Sequence, residues 1–161
     1  EGVQSRYDAS TEGIFTIQYP EEQPVLPEEF RVLPFLIYEI NDAGEREYRC
    51  TACGICAKVC PPQCIWITRK TDPGTGRPSP HPEAFFIDID ICMNCGFCAE
   101  YCPFDAIKMD HDFEVSAISR EHNIFSMEQL GKPLDYYAKI RPENYQREES
   151  ARAPKKATDV A

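Results

Sequence analysis

Cys50-Thr51-Ala52-Cys53-Gly54-Ile55-Cys56-Ala57-Lys58-Val59-Cys60-Pro61 decides the fold, because the chain uses this pattern twice. Residues 50–67 laid on residues 92–109 match at eight positions: four cysteines, Gly54/Gly96, Ala57/Ala99, Pro61/Pro103 and Ile65/Ile107. This is an internal duplication. Each half reads as a strand, a cysteine loop, a short helix stopped by Cys-Pro and a second strand. Proline cannot continue a helix, and Cys64 to Thr68 and Ala106 to Met109 suit extended backbone. Ahead of the second loop, Phe86-Ile87-Asp88-Ile89-Asp90-Ile91 alternates apolar and acidic side chains with the period of a half-buried strand. The predicted class is α+β, a small duplicated core with long flanks.

Eight of the nine cysteines lie in the two CxxCxxCxxxC strings. Followed by proline, that spacing is the one with which bacterial-type ferredoxins hold cubane iron–sulfur clusters, the fourth cysteine of each string serving the other cluster. A cube has four irons, each needing one outer ligand, and thiolate is the soft anionic donor that iron among sulfides prefers. The expectation is two [4Fe–4S] clusters. The first falls on Cys50, Cys53, Cys56 and Cys102, the second on Cys92, Cys95, Cys98 and Cys60. Gly54 and Gly96 let the backbone come close enough for peptide N–H groups to donate to sulfur. Zinc also takes CxxC pairs, but two triple-plus-one runs ending in Cys-Pro are not a zinc-ribbon pattern. Haem attachment needs CxxCH, and no histidine follows these pairs. Cys64, the ninth cysteine, falls opposite Ala106 in the repeat. With no iron left for it, a small buried thiol packed near a cluster is expected.

The strings occupy only the middle third of 161 residues, so the flanks have work other than holding clusters. Formal net charge is −10, with −7 in residues 1–49, −2 in 50–110 and −1 in 111–161. Anionic clusters on such a chain disfavour nucleic acid, and the acidic arm reads as solvated surface. No apolar leader opens the sequence and the cysteine spacing is that of metal ligation, which predicts a reducing, intracellular setting rather than disulfides. The longest apolar stretch, Val32 to Tyr38, is broken by Pro34 and falls far below the roughly 20 residues of a membrane span. The sequence opens at Glu1, which leaves room for an upstream anchor.

Three regions follow. Residues 1–49 form an extended N-terminal strap and hairpin, 50–110 the ferredoxin-like domain with a surface loop at 71–82, and 111–161 a C-terminal extension, disordered or bound by a partner. Pro20, Pro24, Pro27 and Pro34 forbid a long helix in the strap. Asn41-Asp42-Ala43-Gly44 turns the chain between Phe35–Ile40 and Glu45–Arg49. Loop 71–82 is dense in Pro and Gly and lacks the strand, helix and glycine register of a phosphate loop, so it reads as a contact surface or a tolerated excursion. Past Glu121, Ile124, Phe125, Met127 and Leu130 come at mixed spacing, and Gly131 and Pro133 close any helix. Residues 150–161 have the composition of disorder. Trp66, Phe85, Phe86, Phe97, Tyr101 and Phe104 flank the loops and are expected to shield sulfur and fill the core. His81, His111 and His122 are scattered, which suits surface or hydrogen-bonding roles. With no nucleophile elbow and no catalytic acid and base pair, there is no catalytic residue to name, and electron passage is the chemistry to expect.

Beyond the cysteines, Thr16-Ile17-Gln18-Tyr19-Pro20-Glu21-Glu22, Arg49-Cys50-Thr51-Ala52-Cys53, Ile89-Asp90-Ile91-Cys92, Cys95-Gly96-Phe97-Cys98-Ala99-Glu100-Tyr101-Cys102-Pro103 and Asp112-Phe113-Glu114-Val115 look like the subunit I family of proton-pumping NADH:quinone oxidoreductase, respiratory complex I. The resemblance covers residues 14–131. It implies a peripheral-arm subunit that passes electrons through two tandem [4Fe–4S] clusters, from the chain of clusters fed by NADH and flavin toward the terminal cluster at the quinone site. The partners it implies are other peripheral-arm subunits, including the terminal-cluster and quinone-site subunits, on the cytoplasmic side of a bacterial cell membrane that is reached through the complex. The enzyme is then the assembled oxidoreductase, and this chain has no substrate site of its own. Members of that family carry N-terminal helices resting on the membrane, and this sequence begins near where those end. Two other readings share the cysteine chemistry: a diffusing ferredoxin-type shuttle that docks through its acidic surface, and the equivalent subunit of a membrane-bound hydrogenase.

Overall fold

The computed structural model describes residue 13 and residues 16–152. The expectations for residues 1–12, 14, 15 and 153–161 lie outside the described residues. In chain order the elements are β1 (Pro34–Ile40), β2 (Arg46–Tyr48), α1 (Ile55–Val59), β3 (Ile65–Thr71), β4 (Pro78–Asp88) and α2 (Phe97–Glu100). They continue as β5 (Ile107–Met109), a 3-10 turn (Arg120–Asn123), β6 (Ile124–Ser126), α3 (Met127–Leu130), β7 (Gly131–Pro133), α4 (Leu134–Ile140) and α5 (Pro142–Arg152). The mixed helices and strands are those of an α+β fold.

β1 is the spine of the first sheet. Its Pro-Phe-Leu-Ile-Tyr-Glu-Ile run suits a pleated surface, with proline at the first residue where no ladder N–H is required. Asn41 Oδ1 then accepts from the N–H groups of Ala43 and Glu45 at 3.0 and 2.9 Å, and β2 returns antiparallel with Tyr38 opposite Tyr48. β5 pairs the first half of β1, Leu36 opposite Ile107, while β7 runs parallel to β1.

The second sheet has the order β3, β4, β6. Half of residues 71–82, expected as a loop, is strand: β3 runs to Thr71, β4 starts at Pro78, and 72–77 turn between them. Proline is tolerated there because β6 pairs only Phe86–Asp88, so the proline-rich end of β4 is an open edge whose missing N–H groups break no ladder. The strand expected to reach Ile91 stops at Asp88. That carboxylate turns back to accept the Asp90 N–H at 3.1 Å and pairs with Arg120 at 2.5 Å.

Backbone conformation in the two cysteine segments recurs at the sequence offset. Left-handed φ values occur at Ala52 and Asn94, at Gly54 and Gly96, and at Gln63 and Asp105. The glycines (φ +77° and +79°) open α1 and α2, and the helices stop just ahead of Pro61 and Pro103. Between the sheets lie Leu36, Ile65, Phe85, Ile87, Ile107 and Met109, in one buried cluster with Cys50, Cys56, Cys60, Cys64 and Cys98. Much of this small core is thiol, so its cohesion depends on what the thiols hold.

Past β5 the chain departs from the expected tail. Tyr137 on α4 packs against Phe35 and Ile37, which alternate with Leu36 and so face away from the cysteines. α5 is held by polar contacts: Asn144 donates to Glu28 and Glu29, and Glu148 Oε1 accepts from the Tyr137 hydroxyl at 2.8 Å and from Lys108 at 2.5 Å. Arg141, at the junction of the two helices, donates to the Phe30 carbonyl at 2.7 Å. A helix anchored by hydrogen bonds carries no apolar stripe, which is why periodicity did not announce it. No helix among the described residues is long and apolar enough to cross a membrane.

Candidate metal centres

Two cavities lie beneath the cysteine loops. Cys50, Cys53, Cys56 and Cys102 line the first; Cys92, Cys95, Cys98 and Cys60 line the second, with Cys64 beside them. Each therefore takes three cysteines from one string and one from the other. All eight residues expected as ligands are brought together in the expected sets. Most of the remaining wall is apolar, including Ile67, Phe85 and Ile107 in the first and Ile65, Ile87 and Met109 in the second.

Peptide N–H groups already point at sulfur. The backbone N–H groups of Ala52 and Asn94 pull the pKa values of Cys50 and Cys92 down, and those of Ala57 and Ala99 do the same for Cys56 and Cys98. The Ala106 N–H lies 3.3 Å from Cys102 Sγ. Burial nevertheless dominates, raising the pKa of Cys50 and Cys92 and pushing Cys56 and Cys98 up to about 12. A site of this kind becomes a set of thiolates only when cations replace the protons.

Among the described residues no three His, Cys, Asp or Glu side chains gather tightly enough to share one metal ion. The thiols ring a space instead, which suits a cube whose four irons each take a separate outer thiolate. Two buried polar atoms on the walls, Thr51 Oγ1 and Asn94 Oδ1, lack a hydrogen-bond partner. A hydroxyl there is a donor for a sulfide-rich guest. On donor set and spacing the residues fit a [4Fe–4S] group in each cavity, and at the first the unpaired Thr51 hydroxyl adds a donor.

The other expected residues divide. Cys64 is buried, its Sγ 3.4 Å from that of Cys60. Phe85 and Phe104 line the first cavity, but Trp66, Phe86, Phe97 and Tyr101 line neither and stand largely exposed on the outer surface. The shielding expected of those four is not provided toward the sulfurs, because alternation along β3 and β4 turns Trp66 and Phe86 outward while Ile65 and Phe85 turn in. His111 Nε2 lies 3.2 Å from the Glu28 carbonyl and His122 Nδ1 2.8 Å from Ser119 Oγ, both hydrogen-bonding roles. Sequence reasoning missed Thr51, Asn94, Arg31 and Arg69. None falls at a repeated position of its own type, so no signal marked them.

Residues 49–106 match the family described as a 4Fe-4S dicluster domain. Fold and site together define an iron–sulfur protein whose cofactors are two [4Fe–4S] clusters. NADH-quinone oxidoreductase subunit I 1 of Nitrosococcus oceani is 41% identical over 126 residues, 75% of this chain and 66% of that protein. Subunit I 2 of Geobacter metallireducens is 36% identical over 115 residues, 71% of this chain and 82% of that protein. Subunit I 2 of Symbiobacterium thermophilum is 34% identical over 115 residues, 71% of this chain and 46% of that protein. The chain belongs to the NADH-quinone oxidoreductase subunit I family. It spans about half the length of the Symbiobacterium relative and about two thirds of the Nitrosococcus one.

Proposed function

We propose that this chain is an electron-relay subunit of NADH:quinone oxidoreductase, respiratory complex I, lying between the clusters fed by NADH and flavin and the terminal cluster at the quinone site. The observation that carries the reading is the crossed lining of the two cavities, in a chain whose relatives are subunit I. Bound there, [4Fe–4S] clusters supply one-electron redox stations. Cys50, Cys53, Cys56 and Cys102 hold the first, and Cys92, Cys95, Cys98 and Cys60 the second. The backbone N–H groups of Ala52 and Asn94 favour the thiolate forms of Cys50 and Cys92, and Ile67, Phe85, Ile87 and Ile107 exclude water from the sulfurs.

The core is a duplicated ferredoxin-like domain over 50–110, and among the described residues a strap and hairpin precede it over 16–49 and an extension follows over 111–152. The recurrence of left-handed residues at the sequence offset supports the duplication. Its partners are the neighbouring peripheral-arm subunits on the cytoplasmic side of the membrane. The assembled complex, not this chain, holds the substrate sites.

Cys60→Ser and Cys102→Ser test the ligand sets, read by electron paramagnetic resonance of the anaerobically purified protein. Cys60→Ser should disturb the cluster held by Cys92, Cys95 and Cys98, and Cys102→Ser the other. Selective damage the other way round refutes the crossed sets. Gentle extraction of the native protein tests the setting: copurifying flavin and quinone-site subunits support it, whereas nickel-site subunits or a lone chain overturn it.

A further inference from the structure

An arginine reaches each cysteine loop from outside it. Arg69 on β3 donates from Nε to the Ala52 carbonyl at 2.7 Å. That carbonyl belongs to the peptide that joins Ala52 to Cys53, so the guanidinium sits one peptide unit from a ligand. In the second loop, Arg31 of the strap donates from Nη1 to the Cys95 carbonyl at 2.6 Å, lying so close over Gly96 that a Cβ there would meet Arg31 Cδ at 2.9 Å. The two contacts are alike in kind, since each ties an outward-turned carbonyl, and in a trans peptide the following N–H points the opposite way.

They differ in charge. Arg31 Nη2 is paired with Glu100, one residue beyond the second loop's Ala99, whereas Arg69 forms no ion pair among the described residues. Among the described residues Arg69 thus brings an unpaired positive charge to the first loop, whereas Arg31 and Glu100 bring a neutral pair to the second. Adding an electron to a cluster makes it more negative, and a nearby positive charge stabilises that state while a neutral pair does so far less.

We propose that Arg69 and the Arg31–Glu100 pair set the two clusters apart in reduction potential, Arg69 raising the first and Glu100 muting the effect of Arg31 at the second. The proposal rests on the ligand sets given above. Arg69 is a positioning and tuning residue that acts through the Ala52 peptide.

The test is an electron paramagnetic resonance redox titration of the full chain, purified anaerobically with both clusters, the signals being assigned beforehand with Cys60→Ser and Cys102→Ser. Arg69→Gln should lower the midpoint of the Cys50 cluster, changing its reduced-to-oxidised ratio at fixed ambient potential by about threefold, a size set by one partly screened charge. The Cys92 cluster should stay where it is. Arg69→Lys should keep most of the wild-type value, because the charge is retained. Glu100→Gln should raise the midpoint of the Cys92 cluster alone, and this surface change keeps the test open should Arg69→Gln fail to assemble. A pair of signals that the cysteine variants assign correctly but that Arg69→Gln moves together, or not at all, overturns the proposal while leaving the ligand sets standing. So does an Arg69→Lys protein that titrates like Arg69→Gln. Signals lost in the wrong cysteine variant refute the ligand sets instead.

Discussion

Lys108 Nζ and Glu148 Oε1 meet at 2.5 Å, tying the strand after the second cysteine string to the last described helix. Lys108 is 7% exposed, lies 3.0 Å from Asp105 and stands over the Tyr137 ring. A buried charge that loses its partner is costly, about 3–5 kcal/mol, and Asp105 holds the loss to the lower end. Glu148→Ala should therefore destabilise the protein by about 3 kcal/mol, read from the denaturant midpoint. The triple replacement Lys108→Met, Glu148→Leu, Tyr137→Phe should recover most of it, since nothing polar is then stranded.

Tyr137 supplies a pH signature. Burial and its hydrogen bond to Glu148 raise the hydroxyl pKa well above that of an ordinary tyrosine. A proton held more tightly in the folded state adds stability that is complete below the unfolded value of about 10 and is lost as pH rises through the folded value. Wild type should lose stability above pH ~10 more steeply than Tyr137→Phe, measured by unfolding midpoints across the alkaline range. Tyr136, raised likewise by burial and Asp110, is present in both proteins and cancels. Parallel curves would contradict the assignment.

Gly54 and Gly96 have nearly the same backbone but different ceilings. At either, alanine meets a left-handed φ worth about 1–2 kcal/mol. Above Gly54 the space is open, whereas above Gly96 a methyl group displaces Arg31. Gly96→Ala should release iron faster than Gly54→Ala on mild chelation. The Arg31–Glu100 pair is surface-exposed, so the further loss is about 1 kcal/mol or less.

Cys64 is tested by size and polarity. Cys64→Ala should keep eight irons and eight sulfides per chain, the content of two [4Fe–4S] cubes, at a modest packing cost. Cys64→Ser should be worse by about 1–3 kcal/mol, because its hydroxyl enters a site with sulfur and apolar groups around it. Iron and sulfide analysis with thermal loss of the visible absorbance reads both.

The centres were legible because ligation imposes spacing. Cys50 to Cys102 had to stand where they do for four thiols to ring each cavity, and the Asn41 turn wrote its own hydrogen bonds into the side chain. Elements held by long-range polar contacts left no such trace. α5 is fixed by Glu28, Glu29 and Lys108, partners 40 or more positions away, and its sequence alone reads as solvated. Arg31 reaches Cys95 across 64 positions. Trp66 and Phe86 misled for another reason: aromatic type suggested burial, but strand parity decides the face, and their neighbours took the inner one.

The exchange of one cysteine between the two cavities sets a clock on biosynthesis. A nascent polypeptide leaving the ribosome presents Cys50, Cys53 and Cys56 first, yet their fourth companion is Cys102, while Cys60 waits for Cys92, Cys95 and Cys98. The second quartet is whole once Cys98 has been made, the first only four residues later. On the proposed ligand sets, iron delivery during translation meets no complete set of four thiols until Cys98 has been made, and both sets are then complete within four residues.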